Sequence, residues 1–206
     1  HHTRASELQM AAGMDHIIDY DGRHDVDVDT REDWARTTVV AHLHPGEPLR
    51  LVKFLAYGWS SLRSRPSLRD QVAAALSSAR YSGWEGLVQE QRDYLDDFWE
   101  SADVEVEGDP EIQQAVRFGL FHVLQAGARA ERRGIAAKGL TGPGYDGHTF
   151  WDTEAFVLPV LMFTRPDAAA HALRWRHSTL EMARQRARTL GFDGAAFPWR
   201  KIHEIG

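Results

Sequence analysis

A tryptophan and an aspartate stand side by side directly after a glycine-rich loop. The segment 138–154 contains four glycines and one proline, and Trp151 and Asp152 follow them. A loop of this composition makes special demands on its backbone. An indole face stacks on the C–H face of a pyranose, and a carboxylate accepts hydrogen bonds from ring hydroxyls. The pair therefore predicts a carbohydrate-binding site.

The same residue types also have ordinary structural explanations. A tryptophan beside an aspartate at a helix start can be a packed aromatic residue followed by an N-terminal acid. His148 could anchor the loop or contact a ligand, and His122 is interpreted as a core histidine with its hydrogen bonds made. The glycines do not form a phosphate-binding loop, because no GxxxxGK[ST] pattern is present and Lys138 precedes them.

Asp152 and Glu154 do not qualify as a catalytic acid pair. Inverting cleavage of a glycoside uses two carboxyl groups about 6.5–9.5 Å apart, on opposite sides of the scissile bond. Residues two positions apart on a helix diverge by about 200° and do not face one site. At most one of the two serves a sugar site, and a second acid must come from elsewhere.

Composition excludes several other classes of function. The net charge is −6 and the pI is near 6.0, which argues against nucleic acid or an anionic membrane as the main partner. Without cysteine there is no disulfide framework and no cysteine-ligated zinc site, and a cytoplasmic location fits. His42 and His44 share one strand face, but no third ligand is suitably spaced, so we expect a surface pair and no metal.

Nothing in the sequence predicts a membrane span or a signal peptide. The longest apolar run, Ala155 to Phe163, is too short to cross a bilayer and contains Pro159. The N-terminus has no signal-peptide pattern. We therefore expect a cytoplasmic protein.

Three zones of different pattern follow one another along the chain. Residues 1–64 contain strand-like runs at 14–20, 34–44 and 49–59, separated by turn formers, and favour a β-sandwich over βαβ units. Residues 65–104 are helical, with the pattern interrupted at Ser82-Gly83. From residue 105 to 206 the helices are more apolar. Predicted helices begin at Asp109-Pro110 and run over about 149–163 and 166–190, the last stopped by Gly191.

Three collinear stretches resemble glycoside hydrolase family 65, whose members include maltose, trehalose and kojibiose phosphorylases. They are Lys138-Gly-Leu-Thr-Gly-Pro-Gly-Tyr-Asp-Gly-His-Thr-Phe-Trp-Asp-Thr-Glu154, Phe98 to Gln114 continued by Arg117-Phe-Gly-Leu-Phe-His122, and Gly194-Ala-Ala-Phe-Pro-Trp-Arg200. The resemblance extends from about Thr3 to Arg200. It implies a multidomain α and β fold: the C-terminal part of a β super-sandwich (1–64), a helical linker (65–104) and the first helices of a truncated (α/α)6 barrel (105–206).

The resemblance also implies an activity and a set of site residues. Most family members are inverting phosphorylases of α-linked glucose disaccharides that release β-glucose 1-phosphate. Inorganic phosphate is a co-substrate, and no cofactor is needed. By this resemblance Trp151 and Asp152 line the subsite for the non-reducing glucose, Phe150 and His148 shape it, and Tyr145 and Lys138 are weaker candidates.

Part of the expected machinery is missing from the sequence. The family's general acid is a glutamate in a Gly-Pro-Asp-Glu-Tyr-like motif, which does not occur here, and Glu204 is no substitute because the family pattern is lost beyond Arg200. We therefore expect no catalytic residue in this chain and no activity of the chain alone. The expected partners are a disaccharide, phosphate and the remainder of a parent chain. The resemblance also suggests a homodimer. A family 65 hydrolase of the trehalase type and a non-catalytic carbohydrate-binding fragment remain alternatives.

Overall fold

The structure is a computed structural model that describes residue 2 and residues 8–60, 62–127 and 133–201. The chain divides into two compact units, one ending at Asp93 and the other beginning at Tyr94. A strand-rich first part precedes a helical second part, as the sequence predicts. Within the described residues, no helix is long and apolar enough to cross a membrane.

The first unit contains two antiparallel strand pairs. β1 pairs with β4 along their full lengths, and β2 pairs with β3. The strands are β1 (Gln9–Asp19), β2 (His24–Thr30), β3 (Ala35–Ala41) and β4 (Arg50–Ser60). The runs expected at 14–20, 34–44 and 49–59 correspond to β1, β3 and β4. β2 is not among the predicted strands, because three aspartates alternate with its valines and aspartate is depleted in strands.

Two glycines let a helix approach the β1–β4 pair closely. Helix α1 (Arg65–Ala102) has non-helical backbone angles at Gly83 (φ 68°, ψ 176°), where the sequence pattern breaks. In the half of α1 before this kink, Val72 packs against the sheet. A Cβ at Gly13 would lie 2.8 Å from Val72 Cγ1, and one at Gly58 would lie 3.1 Å from Val72 Cγ2. Larger residues at either position would force the helix away from the sheet.

The described residues of the second unit include four further α-helices, whose ends follow local rules. They are α2 (Pro110–Gly127), α3 (Leu158–Thr164), α4 (Pro166–Ser178) and α5 (Leu180–Thr189). Asp109 caps α2, since its Oδ1 accepts hydrogen bonds from the backbone N–H groups of Glu111 and Ile112 at 2.9 and 3.2 Å. Gly191 ends α5 with φ 78°, and Phe192 N donates to Ala187 O at 3.0 Å, which is a Schellman motif. Both ends confirm the sequence prediction.

Two predicted helices differ from the observed ones. The helix expected over 149–163 is replaced by the short strand β5 (Thr149–Phe150), a π-helical turn (Thr153–Val157) and α3. The helix expected over 166–190 is divided into α4 and α5 at Thr179. There the Thr179 hydroxyl donates to Arg176 O at 2.8 Å, and the Ser178 hydroxyl donates to Trp175 O at 2.6 Å. Such side-chain bonds compete with the helical ladder.

The core of the second unit lies where α2, α3 and α4 meet. Leu161 is 0% exposed and packs with Leu158, Ile135 and three alanines of α4, which are Ala168, Ala169 and Ala172. A second cluster joins Leu124 of α2 to Phe98 and Ala102. Leu124 is therefore buried by Phe98 and Ala102.

An ion pair connects the middle of α2 to the residue that follows α1. Arg117 Nε donates to Asp103 Oδ1 at 2.8 Å, and Arg117 Nη2 also contacts Oδ2. The hydrogen bond from Arg117 holds the pKa of Asp103 below its usual value. Because the folded-state pKa is depressed, the pair stabilises the fold above the unfolded-state pKa of an aspartate, and this contribution is lost as the pH falls through the folded-state pKa.

We therefore expect Asp103→Asn to lower the Tm at pH 7 and to change it less at about pH 3, since aspartate pKa values lie near 4. Thermal unfolding at both values of pH checks this. In an Arg117→Met background the Asp103→Asn change should have little effect at either pH. A loss of Tm that is equal at pH 7 and pH 3 would contradict the role assigned to the pair.

Candidate functional site

The loop before Trp151 has three consecutive residues in the left-handed backbone region. Tyr145, Asp146 and Gly147 have φ values of 60°, 51° and 75°. This conformation is unfavourable for residues other than glycine, and it persists only when surrounding contacts impose it. Such strain is concentrated at functional sites, so the segment is a candidate for a binding role.

His148 supplies one of the contacts that hold this loop. Its Nδ1 lies 2.8 Å from Tyr145 O, and its backbone N donates to the same oxygen at 2.9 Å. Ala137 N donates to His148 O at 3.0 Å, which ties the two ends of the loop together. The Nδ1 contact with a carbonyl requires the tautomer with the proton on Nδ1. His148 therefore anchors the loop.

Lys138 and Tyr145 pack against each other across the loop. Lys138 Nζ lies 6.0 Å from the centroid of the Tyr145 ring. A Cβ at Gly144 would lie 2.9 Å from Lys138 Cε, so glycine is needed there for this contact. The two side chains therefore help to shape the loop.

Aromatic rings form a continuous row beside the loop. Neighbouring centroids are 5.4 Å apart for Tyr145 and Phe150, 5.6 Å for Phe150 and Trp199, and 5.6 Å for Trp151 and Trp199. All three contacts are edge-to-face, a favourable arrangement. Trp151 is 47% exposed and Trp199 is 55% exposed. The row thus offers two indole surfaces to a ligand.

Trp199 is not among the site residues predicted from the sequence. Strand β6 (Arg200–Lys201) pairs with β5 in antiparallel register, with Phe150 opposite Arg200. This pairing brings Trp199 against Trp151. The sequence signal for Trp199 is the stretch Gly194-Ala-Ala-Phe-Pro-Trp-Arg200, which carries part of the family resemblance.

Asp152 stands at the start of the helical turn that follows Trp151. Its backbone is helical (φ −54°, ψ −31°), and its side chain makes no capping hydrogen bond to the π-helical turn. The residue is exposed. As an exposed acid next to Trp151 in the sequence, Asp152 is available to accept hydrogen bonds from a ligand.

Glu154 is committed to a different partner. Arg176 Nε donates to Glu154 Oε1 at 2.7 Å, and Arg176 Nη2 donates to Oε2 at 2.9 Å. This is a bidentate, charge-assisted pair. Asp152 and Glu154 thus serve separate sets of contacts, as their spacing on a helix suggests.

Two cavities adjoin these residues. One of about 530 Å³ is lined by Trp151, Glu154, Arg176 and apolar residues that include Phe192 and Phe197. The other, of about 410 Å³, is lined by His148, Arg186, Arg200 and Lys201 among others. Within the described ranges no group of three or more histidine, aspartate or glutamate side chains could hold a metal ion. Glu204 lies outside the described residues.

Comparisons with known proteins identify the family. The sequence model of the glycosyl hydrolase family 65 N-terminal domain matches residues 1–98, and that of the family 65 central catalytic domain matches residues 117–206. The chain belongs to glycosyl hydrolase family 65.

Its relatives include phosphorylases of two disaccharides. An uncharacterized glycosyl hydrolase of Mycobacterium tuberculosis (strain ATCC 25618 / H37Rv) is 70% identical over 202 residues, which is 98% of this chain and 26% of that protein. The α,α-trehalose phosphorylase of Thermoanaerobacter brockii is 36% identical over 97% of this chain and 26% of its own length. The kojibiose phosphorylase of Escherichia coli (strain K12) is 36% identical over 77% of this chain and 22% of its own. The chain thus spans about a quarter of these relatives.

A solved structure shares the fold. A protein from the human microbiome, provisionally named as a kojibiose phosphorylase, superposes with a TM-score of 0.81. The match covers 97% of this chain and 26% of that one, at 24% sequence identity. The match therefore shows that the fold of this chain occurs within that larger protein.

Proposed function

We propose that this chain is part of a longer disaccharide phosphorylase, called the longer protein below. That protein would convert an α-linked glucose disaccharide and inorganic phosphate to β-glucose 1-phosphate and a free sugar, with inversion. The observation that carries the proposal is that Trp151 presents an exposed indole and that the next residue, Asp152, is exposed and makes no capping hydrogen bond. Relatives named trehalose and kojibiose phosphorylases support it.

In this proposal Trp151 and Asp152 bind the non-reducing glucose. The indole covers the C–H face of the ring, and the carboxylate accepts hydrogen bonds from its hydroxyls. Phe150 and Trp199 support the indole from the side. His148, Tyr145 and Lys138 hold the loop that borders the sugar.

Phosphorolysis requires one protonated carboxyl group, whereas inverting hydrolysis uses two carboxyl groups, an acid and a base. Phosphate attacks the anomeric carbon from the face opposite the leaving sugar, so no base is needed to activate water. A carboxylic acid gives its proton to the leaving oxygen. We assign that acid to a part of the longer protein outside this sequence, because the family resemblance puts it in a Gly-Pro-Asp-Glu-Tyr-like motif that does not occur here.

The finer architecture belongs to the same proposal. The strand pairs of the first unit would belong to a β super-sandwich, α1 to a helical linker (65–104), and α2 to α5 to an (α/α)6 barrel. Phe118, Phe156 and Phe163 are exposed on the second unit, and an apolar surface of this kind calls for a cover. The remainder of the longer protein would supply it. A cytoplasmic homodimer without cofactor is the expected form.

A family 65 hydrolase is the second candidate, because the relative that is 70% identical is named a glycosyl hydrolase. Trehalose, maltose, kojibiose and nigerose, supplied to the longer protein with and without phosphate, separate the two. Cleavage that requires phosphate supports the phosphorylase, and cleavage at the same rate without phosphate supports the hydrolase. Glucose binding that Trp151→Ala abolishes, without any cleavage, would leave a non-catalytic carbohydrate-binding protein.

The 206-residue chain alone serves as the matched negative sample in this experiment. Because the proposal places the general acid and the phosphate site elsewhere, the chain by itself should cleave none of the four sugars. Turnover by the chain alone would contradict that placement.

A further inference from the structure

The ion pair between Glu154 and Arg176 is more deeply placed than the other described ion pairs. Arg176 is 9% exposed, whereas the arginines of the other pairs are about half exposed or more. The guanidinium lies over Trp175, with Cζ 4.8 Å from the ring centroid, and Trp175 is itself buried. Arg176 is therefore a rigid anchor on α4.

Stability alone is a poor explanation for this pair. The free energy needed to remove two charges from water offsets much of their electrostatic attraction. Replacing a buried ion pair with apolar residues is therefore often neutral or stabilising. Arg176 Nη1 is also buried with no hydrogen-bond partner among the described residues, which adds a further cost. What a bidentate pair provides reliably is a fixed geometry.

The geometry that it fixes is that of the backbone carrying Trp151 and Asp152. Glu154 lies in the π-helical turn that begins directly after Asp152, and π-helical turns are frequent at functional sites. Next to it, Thr153 Oγ1 donates to Ile135 O at 3.3 Å. On the other flank, β5 is held by its pairing with β6. The backbone of Trp151 and Asp152 is thus held by contacts on both sides.

The pair also adjoins Trp151 in space. Trp151, Glu154 and Arg176 line the same cavity of about 530 Å³. A displacement of the Glu154 carboxylate would move the turn and alter the wall beside the indole. This ion pair, between positions 22 residues apart, therefore ends immediately beside the candidate sugar site.

We infer that Glu154 and Arg176 are positioning residues, which hold Trp151 and Asp152 in the orientation that binds glucose and do not themselves contact the sugar. This inference rests on the proposed function. It predicts that small, charge-preserving changes in the pair reduce use of the disaccharide without affecting phosphate.

The test uses Arg176→Lys and Glu154→Asp in the longer protein with its best disaccharide. Each variant keeps both charges but loses the bidentate geometry or shortens the acid. Because a misplacement of about 1 Å can cost about 100-fold in rate, we expect kcat/KM for the disaccharide to fall at least about tenfold. The KM for phosphate should stay within about twofold, since the phosphate site is placed elsewhere. The matched control is Arg188→Lys, whose ion pair with Glu181 (3.2 Å) is exposed.

A double-mutant cycle separates positioning from a general structural role. In a Trp151→Ala background, Glu154→Asp should cause a much smaller further loss, because the group it positions is gone. An equal loss in both backgrounds would overturn the inference, as would wild-type kcat/KM in either folded variant. If both variants fail to fold, the pair is a structural element and the inference is also overturned.

The outcomes remain distinguishable from failure of the proposed function. Wild-type protein that shows no phosphate-dependent cleavage contradicts the phosphorylase, and the pair is then tested by hydrolysis or by glucose titration of the tryptophan fluorescence. Wild-type protein that is phosphate-dependent, with both variants unaffected, contradicts only the positioning role. Absence of both cleavage and glucose binding contradicts both.

Discussion

Trp151→Ala should lower kcat/KM for the disaccharide by about 100-fold or more in the longer protein. The Trp151 indole is 47% exposed, and in the proposed function it covers one face of the glucose ring. Loss of about 3 kcal/mol of transition-state binding corresponds to about 100-fold in rate. The Trp199 indole remains in the variant, but its contact with Trp151 is edge-to-face, so it cannot take over the same surface. Steady-state kinetics with a saturating phosphate concentration measure the effect.

The matched control for this substitution is Trp84→Ala. Trp84 is a second exposed indole, 52% accessible on α1 in the first unit, and it has no place in the proposed site. Its removal should leave kcat/KM within about twofold, which is below about 0.5 kcal/mol. Equal kinetic losses in the two variants would show that Trp151 has no special role at the sugar.

Leu161→Ala should produce the largest loss of stability. Leu161 is fully buried where α2, α3 and α4 meet, and a Cβ at Gly127 would lie only 3.1 Å from its Cδ1. The tight surroundings leave little room for collapse around a cavity. Leucine-to-alanine changes at such sites cost about 3–5 kcal/mol. Equilibrium unfolding in urea, followed by tryptophan fluorescence, measures the change.

Phe163→Ala on the same helix is the control for this measurement. In the 206-residue chain, without the cover proposed above, Phe163 is 87% exposed, so its truncation in that chain should change the unfolding free energy by less than about 0.5 kcal/mol. If Leu161→Ala and Phe163→Ala unfold at the same urea concentration, the assignment of the core between α2, α3 and α4 is wrong.

Local chemistry made part of the fold predictable from the sequence. Asp109 before Pro110 and Gly191 after α5 are end signals that act on neighbouring backbone groups, and both work as expected. The interruption at Gly83 is of the same kind, because glycine alone adopts its backbone angles without strain. β2 was missed because its pairing with β3 outweighs the low strand propensity of its aspartates.

The candidate site was predictable only in part. Trp151 and Asp152 adjoin the glycine-rich loop in sequence, so their residue types alone suggest a sugar. The contact between Trp199 and Trp151 depends on the β5–β6 pairing, and the Glu154–Arg176 pair joins positions 22 residues apart. No spacing rule for a single helix or strand gives either contact. The role of His148 as a loop anchor likewise required the position of Tyr145 O.

The measurement that tests the central claim most directly is an NMR time course of the longer protein with its preferred disaccharide. ¹H and ³¹P spectra would be recorded from the first minutes, with and without inorganic phosphate. Inversion at an α-linked glucose predicts β-glucose 1-phosphate as the first product, formed only when phosphate is present. Free glucose released at the same rate without phosphate, or α-glucose 1-phosphate as the first product, would contradict the inverting phosphorylase.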